Sequence, residues 1–118
     1  MFDEEIKIIE KPIRRADVLA MTGKWFNNLV KAVVDIELGI MAIDAELHAD
    51  QERVLLERGS KQENLWGINL FPEIGDDSWI KFDSMINIRP RQNNRSRGVD
   101  DQKIRERIKA VVENLVVN

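Results

Sequence analysis

Two segments of this chain alternate strictly enough to constrain the architecture before anything else is considered. In residues 79–89, Ile80, Phe82, Ile86 and Ile88 fall on one side of an extended chain, interrupted only by Ser84. Trp79, Lys81, Asp83, Met85, Asn87 and Arg89 fall on the other. Residues 30–38 repeat the pattern, with Ala32, Val34, Ile36 and Leu38 set against Lys31, Asp35 and Glu37, a side that also carries Val33. Successive side chains of a strand project to opposite faces, so strands written this way require a sheet with one buried and one polar face.

The buried face needs a cover, and helical stripes supply it. Ile104, Ile108, Val111, Val112 and Leu115 form one stripe over residues 100–117, with Asp100 placed to cap the helix and Val99 to staple onto Ile104. Val18, Thr22, Trp25 and Leu29 predict a helix over 14–28, although Gly23 weakens it by about 1 kcal/mol relative to alanine. Residues 48–58 read as a helix ended by Gly59. Strands are expected at 6–9, stopped by Pro12, at 40–47 after a turn at Gly39, and at 65–71, closed by Pro72. The order strand, helix, two strands, helix, two strands, helix predicts a single α+β domain over residues 1–118. Its expected form is a two-layer sandwich: a largely antiparallel sheet of about four to five strands with about three helices on one face.

Composition narrows the function classes. The chain has 43% hydrophobic and 33% charged residues, within the range of a folded globular protein. It has no cysteine, which removes disulfides, thiolate metal sites and cysteine nucleophiles. Residues 1–5 lack the basic start and apolar run of a secretory signal, and no apolar stretch approaches membrane-spanning length. The expected setting is the cytoplasm, with no membrane partner. No glycine-rich phosphate loop, nucleophile elbow or serine–histidine–acid pattern identifies a reaction.

Residues 86–98 carry four arginines and no acid, in a chain of net charge −3. Arg89, Arg91, Arg95 and Arg97 present planar forks of donors suited to phosphate or carboxylate oxygens. Asn94 lies among them, and Asn87 shares an Ile-Asn-aliphatic-x-Pro pattern with Asn69. Asparagine is depleted in strands, so its recurrence at one offset suggests a polar task. These seven residues are the candidate ligand-binding set, for a phosphate-bearing small molecule or nucleic-acid backbone. The competing arrangement has the arginines pinned to Asp83, Asp100 or Asp101, or the amides spent on backbone.

A second constellation is acidic. Asp35, Glu37, His48 and Asp50 lie near one polar face and include carboxylate and imidazole donors of the kind that hold divalent metals. There is one histidine and no recognised ligand spacing, so no metal and no cofactor are expected. The three tryptophans read chiefly as packing residues, with Trp79 the one that an exposed position would turn into a stacking platform.

Glu46-Leu47-His48-Ala49-Asp50, Gly59-Ser60, Leu65-Trp66-Gly67-Ile68-Asn69-Leu70, Ile86-Asn87-Ile88-Arg89-Pro90 and Asn94-Arg95-Ser96-Arg97 together resemble an uncharacterised family of small prokaryotic proteins, a domain of unknown function. The resemblance runs from about Val30 to the C-terminus. It implies a prokaryotic, cytoplasmic protein and brings no established activity, cofactor or catalytic residue. The residues themselves favour a small anion-binding module built on the 89–97 loop. The alternatives are a protein-interaction or homodimerisation domain, with Trp79 or Met85 on its surface, and a metal-assisted phosphoester hydrolase.

Overall fold

A tight hairpin sets the centre of the fold. The computed structural model of the protein describes residues 6–118; residues 1–5, read above for a signal, lie outside the described residues. Strands β3 (Val30–Asp35) and β4 (Ile40–Ile43) pair antiparallel. The turn between them is held by Asp35, whose carboxylate accepts the N–H groups of Glu37 and Leu38 at 2.9 Å each. Gly39 closes it at φ +70°, a conformation that favours glycine.

The sheet grows outward from this hairpin. Strand β1 (Lys7–Ile9) pairs with β4, β5 (Leu65–Leu70) with β3, and β6 (Ile80–Lys81) with β5. The order is β1-β4-β3-β5-β6, antiparallel throughout. A separate parallel pair, β2 (Ile13–Arg14) with β7 (Val116–Val117), joins distant parts of the chain. Among the described residues three α-helices complete the fold: α1 (Arg15–Met21), α2 (His48–Glu57) and α3 (Gln102–Leu115). The α+β class and the antiparallel sheet of five strands are those the alternation predicts.

The helices do not all share one face. Val18 of α1 and Ile108, Val112 and Leu115 of α3 join Ala32, Val34 and Ile68 in the main core. Leu55 of α2 packs with Val33, Ala42 and Leu65, which point the other way. The face assigned to water carries these apolar side chains, and their burial at about 25 cal/mol per Å² favours a helix over solvent there.

Two predicted elements differ more sharply. Helix α1 stops at Met21, because Thr22 turns extended and Gly23 adopts φ +88°, so Trp25 leaves the helix and stands partly exposed. The alternating segment 79–89 is a strand only at Ile80–Lys81 and then becomes a single 3-10 turn at Met85–Asn87. Its apolar alternation is real, but side chains replace the backbone ladder that a strand would need. Trp79 is buried, with the Arg15 guanidinium 4.0 Å from its ring centroid, and offers no stacking surface.

Candidate functional site

Strand β5 sends Leu65, Gly67 and Asn69 toward the α2 face, and what lies over them is the segment 82–98. Asn87 stands in for a missing strand. Its Oδ1 accepts from the Gly67 N–H at 2.9 Å, and its Nδ2 donates to the Gly67 carbonyl at 3.0 Å. One carboxamide thus satisfies both backbone groups of a residue on the sheet edge. Gly67 permits this approach, since a Cβ there would lie 2.6 Å from the Ser84 Cβ.

Arg89 fastens the same edge. Its guanidinium donates to the carbonyls of Ile86 (2.9 Å), Gln62 (2.8 Å) and Leu65 and lies 4.6 Å from the Trp66 ring centroid. Its charge faces Glu52 of α2 at 3.8 Å. Asn94 holds the loop from inside: its Nδ2 donates to the Asn87 and Gly98 carbonyls at 2.7 and 2.8 Å, and its Oδ1 accepts from the Asp100 N–H at 2.8 Å. Asp100 in turn accepts from the Ser96 hydroxyl (2.5 Å) and the Arg95 N–H (3.1 Å), and these bonds hold its carboxyl below the usual carboxylate range. Asp101, rather than Asp100, caps α3, accepting from the Lys103 N–H at 2.8 Å.

The seven candidate ligand residues therefore separate. Asn87, Arg89 and Asn94 are committed to backbone groups. Arg91 and Arg95 are exposed and make no side-chain ion pair among the described residues. Asn69 and Arg97 come together, in a recess of about 350 Å³ that Lys31, His48, Asp83 and Ser84 also line. Lys31 and Asn69 are cross-strand partners on the same face of β3 and β5. His48 opens α2, and Arg97 returns from the loop to meet Asp83, Nε to Oδ1, at 2.7 Å.

The chemistry of the recess follows from these placements. His48 Nε2 lies 2.8 Å from the Ile68 carbonyl, so it donates there and leaves Nδ1 as an acceptor. Burial pushes its pKa down to about 4; Lys31 and Arg97 add to the depression, while the Ile68 bond and Asp83 oppose it. At neutral pH it is an uncharged ring, and the formal charges of the wall are Lys31, Arg97 and Asp83. Asn69 donates to the Asp83 carbonyl at 3.3 Å, and its buried Oδ1 has no hydrogen-bond partner among the described residues. The first turn of α2 has no side-chain cap at Leu47, and its N–H groups carry the positive end of the helix dipole.

The acidic constellation is dispersed. Asp35 is spent on the hairpin turn and on the Ser60 hydroxyl at 2.7 Å. Glu37 pairs with Arg107 at 3.2 Å, and Asp50 with Arg53 at 3.7 Å. Only His48 of this set lines the recess. Among the described residues no group of three or more histidine, cysteine or acidic side chains is placed to hold a metal ion. Sequence reasoning missed Lys31 and Ser84, and it named Asp83 only as a carboxylate that could pin the arginines, which is the contact Asp83 makes with Arg97. The interruption of an apolar alternation by Ser84 was the one available signal.

These features define a small α+β domain with a charged recess where α2, β5 and the 82–98 segment meet. The chain belongs to the family described as protein of unknown function (DUF5674), whose model matches residues 7–115. Comparison with curated proteins and with solved structures gave no match. No helix among the described residues is long and apolar enough to cross a membrane.

Proposed function

We propose that this protein is a cytoplasmic binding module for a small ligand that carries a phosphate or carboxylate group, held between Lys31 and Arg97 at the start of α2. The observation that carries the reading is the convergence of two cations with an uncapped helix N-terminus in one recess. Neighbouring acceptors give the ligand a second requirement. His48 Nδ1 and the Asp83 carboxylate suit hydroxyl or amine donors, which fits a hydroxylated phosphate ester better than a bare anion. A nucleic-acid backbone fits less well, because Arg89 is committed to carbonyls and the chain has a net charge of −3.

The test is a titration of the ¹⁵N-labelled protein with inorganic phosphate and with ribose 5-phosphate. The expected result is saturable shifts at Lys31, His48, Ala49 and Asn69, with ribose 5-phosphate the tighter ligand. Arg97→Ala should weaken binding about tenfold, equivalent to the loss of one charge-assisted contact. The exposed Arg97–Asp83 pair contributes only about 0–1 kcal/mol to folding, so the variant remains folded. Absence of shifts, or shifts confined to Arg91 and Arg95, overturns the reading.

A second reading, a homodimerisation surface, draws on Leu47 and Met85, which are 50% and 64% exposed at the rim of the recess. Rotational correlation times from the same samples decide it, since a monomer's value at every concentration removes the dimer.

A further inference from the structure

His48 is more than a wall of the recess. Its side chain is almost wholly buried, at 7% exposure, and its Nε2–H is held by the Ile68 carbonyl at 2.8 Å. That bond sets the tautomer and leaves the ring's lone pair on Nδ1. Nδ1 has no hydrogen-bond partner among the described residues, yet it is not one of the side-chain atoms sealed from solvent, so it opens into the recess that His48 lines. Burial pushes the ring's pKa down to about 4, so the lone pair is unprotonated at neutral pH. An unprotonated imidazole nitrogen held in one tautomer is a nucleophile.

The groups suited to a phosphoryl unit beside it are uncommitted. Arg97 spends Nε on Asp83, and its two Nη groups make no hydrogen bond among the described residues. Lys31 makes no ion pair among the described residues, and its ammonium rests 4.9 Å from the Phe26 ring centroid. His48 is the first residue of α2, and Ala49, next in the same uncapped first turn, also lines the recess. Asp83 is the one carboxylate of the lining, and it is paired with Arg97. Across Leu47 lies a recess of opposite charge, lined by Asp44, Glu46 and Asp50, which repels an anion.

We propose that His48 Nδ1 accepts a phosphoryl group from an acyl phosphate or a phosphoramidate, which makes this protein a phosphoryl carrier; the proposal rests on the recess being the oxyanion site described above. The Nδ1 lone pair forms the N–P bond as the bond from phosphorus to the carboxylate oxygen, or to the amine nitrogen, breaks. The leaving group departs with that electron pair, as a carboxylate or as an amine. Nε2 keeps the proton it donates to Ile68, and the positive charge gained by the ring is balanced by the phosphoryl oxygens. Lys31, Arg97 and the first turn of α2 are the positive groups available to those oxygens, and positioning with charge stabilisation is most of what phosphoryl transfer asks of a protein.

The experiment treats the full chain with phosphoramidate and, separately, with acetyl phosphate, followed by intact mass and ³¹P NMR. The chain has a single histidine, so one added phosphoryl group that is lost in acid and kept in base locates the site. That adduct is expected, on Nδ1 in spectra of the ¹⁵N-labelled ring, and the donor that forms it gives the donor class. His48→Gln should abolish it. Arg97→Ala, which removes only an exposed ion pair, should slow it about tenfold, the effect of losing one charge-assisted contact. Wild-type protein unfolded in urea should react no faster than free histidine. No acid-labile adduct with either donor, an acid-stable adduct on a hydroxyl such as that of Ser84, phosphorylation at Nε2, or equal rates in folded and unfolded protein overturns the proposal. Saturable phosphate shifts in the titration above without any adduct overturn the carrier and leave the binding module standing, whereas an absence of both removes both.

Discussion

His48 illustrates how position decides chemistry at the scale of one residue. In an extended chain it would share a side with Glu46 and Asp50 and read as a metal ligand. As the first residue of α2 it is buried against the Ile68 carbonyl and held neutral. Its pKa falls from 6.5 to about 4, so the unfolded chain binds a proton before the folded one does. The stabilisation this implies is fully present above pH 6.5 and is lost as pH falls toward 4, by on the order of 3 kcal/mol. Urea midpoints measured at pH 7 and pH 4 should therefore fall more in wild type than in His48→Gln, which does not titrate there. Equal losses in the two proteins would contradict the burial of a neutral ring. Arg89, Asn87 and Asn94 teach the converse. Their donors were visible in the sequence, but the carbonyls they meet belong to residues whose positions only the fold supplies. Lys31 was an ordinary cation on a strand until the β3–β5 register placed Asn69 opposite it.

At the scale of elements, the segment after β6 is a clamp on the edge of β5. Period-two alternation over 79–89 put Ile80, Phe82, Ile86 and Ile88 on one side, but the chain leaves the strand after Lys81: Ile80 lies in the main core, Ile86 packs against the smaller core on the opposite face, and Ile88 is exposed. It could not report that the Ser84 hydroxyl would accept the Ile86 N–H and turn the chain into a 3-10 turn. The Asn87 amide is the fastening point. Asn87→Ala should destabilise the fold by about 2–4 kcal/mol, because the Gly67 N–H and carbonyl would be left buried without partners. Asn87→Asp should recover little, as it keeps the acceptor and loses the donor. Chemical denaturation monitored by tryptophan fluorescence measures both, and a loss under 1 kcal/mol in the alanine variant would show that the edge is satisfied in another way. Helices α2 and α3 were legible almost to their ends because one has glycine after it and the other a continuous stripe. Helix α1 was overextended because its apolar period ran on past Gly23, where the backbone turns left-handed.

Across the whole molecule, the α+β class followed from one-sided strands, but the distribution of helices did not. Val33, Ala42 and Leu65 are too few and too scattered in sequence to announce a second core, and the strand order that gathers them is not written locally. The pairing of β2 with β7 depends on contacts between Ile13–Arg14 and Val116–Val117, far beyond any window of local pattern. That architecture places two recesses of opposite charge on either side of Leu47. The arginine loop contributes one guanidinium to them, and Asn87, Arg89 and Asn94 instead fasten the loop to β5 and to itself. Crystals of the protein soaked in sodium selenate, an anomalously scattering oxyanion, provide the most direct test. An anomalous peak is expected between Lys31 and Arg97 at the start of α2, and no peak there in Arg97→Ala. Selenate bound only around Arg91 and Arg95, or undiminished between Lys31 and position 97 in the variant, would contradict that placement.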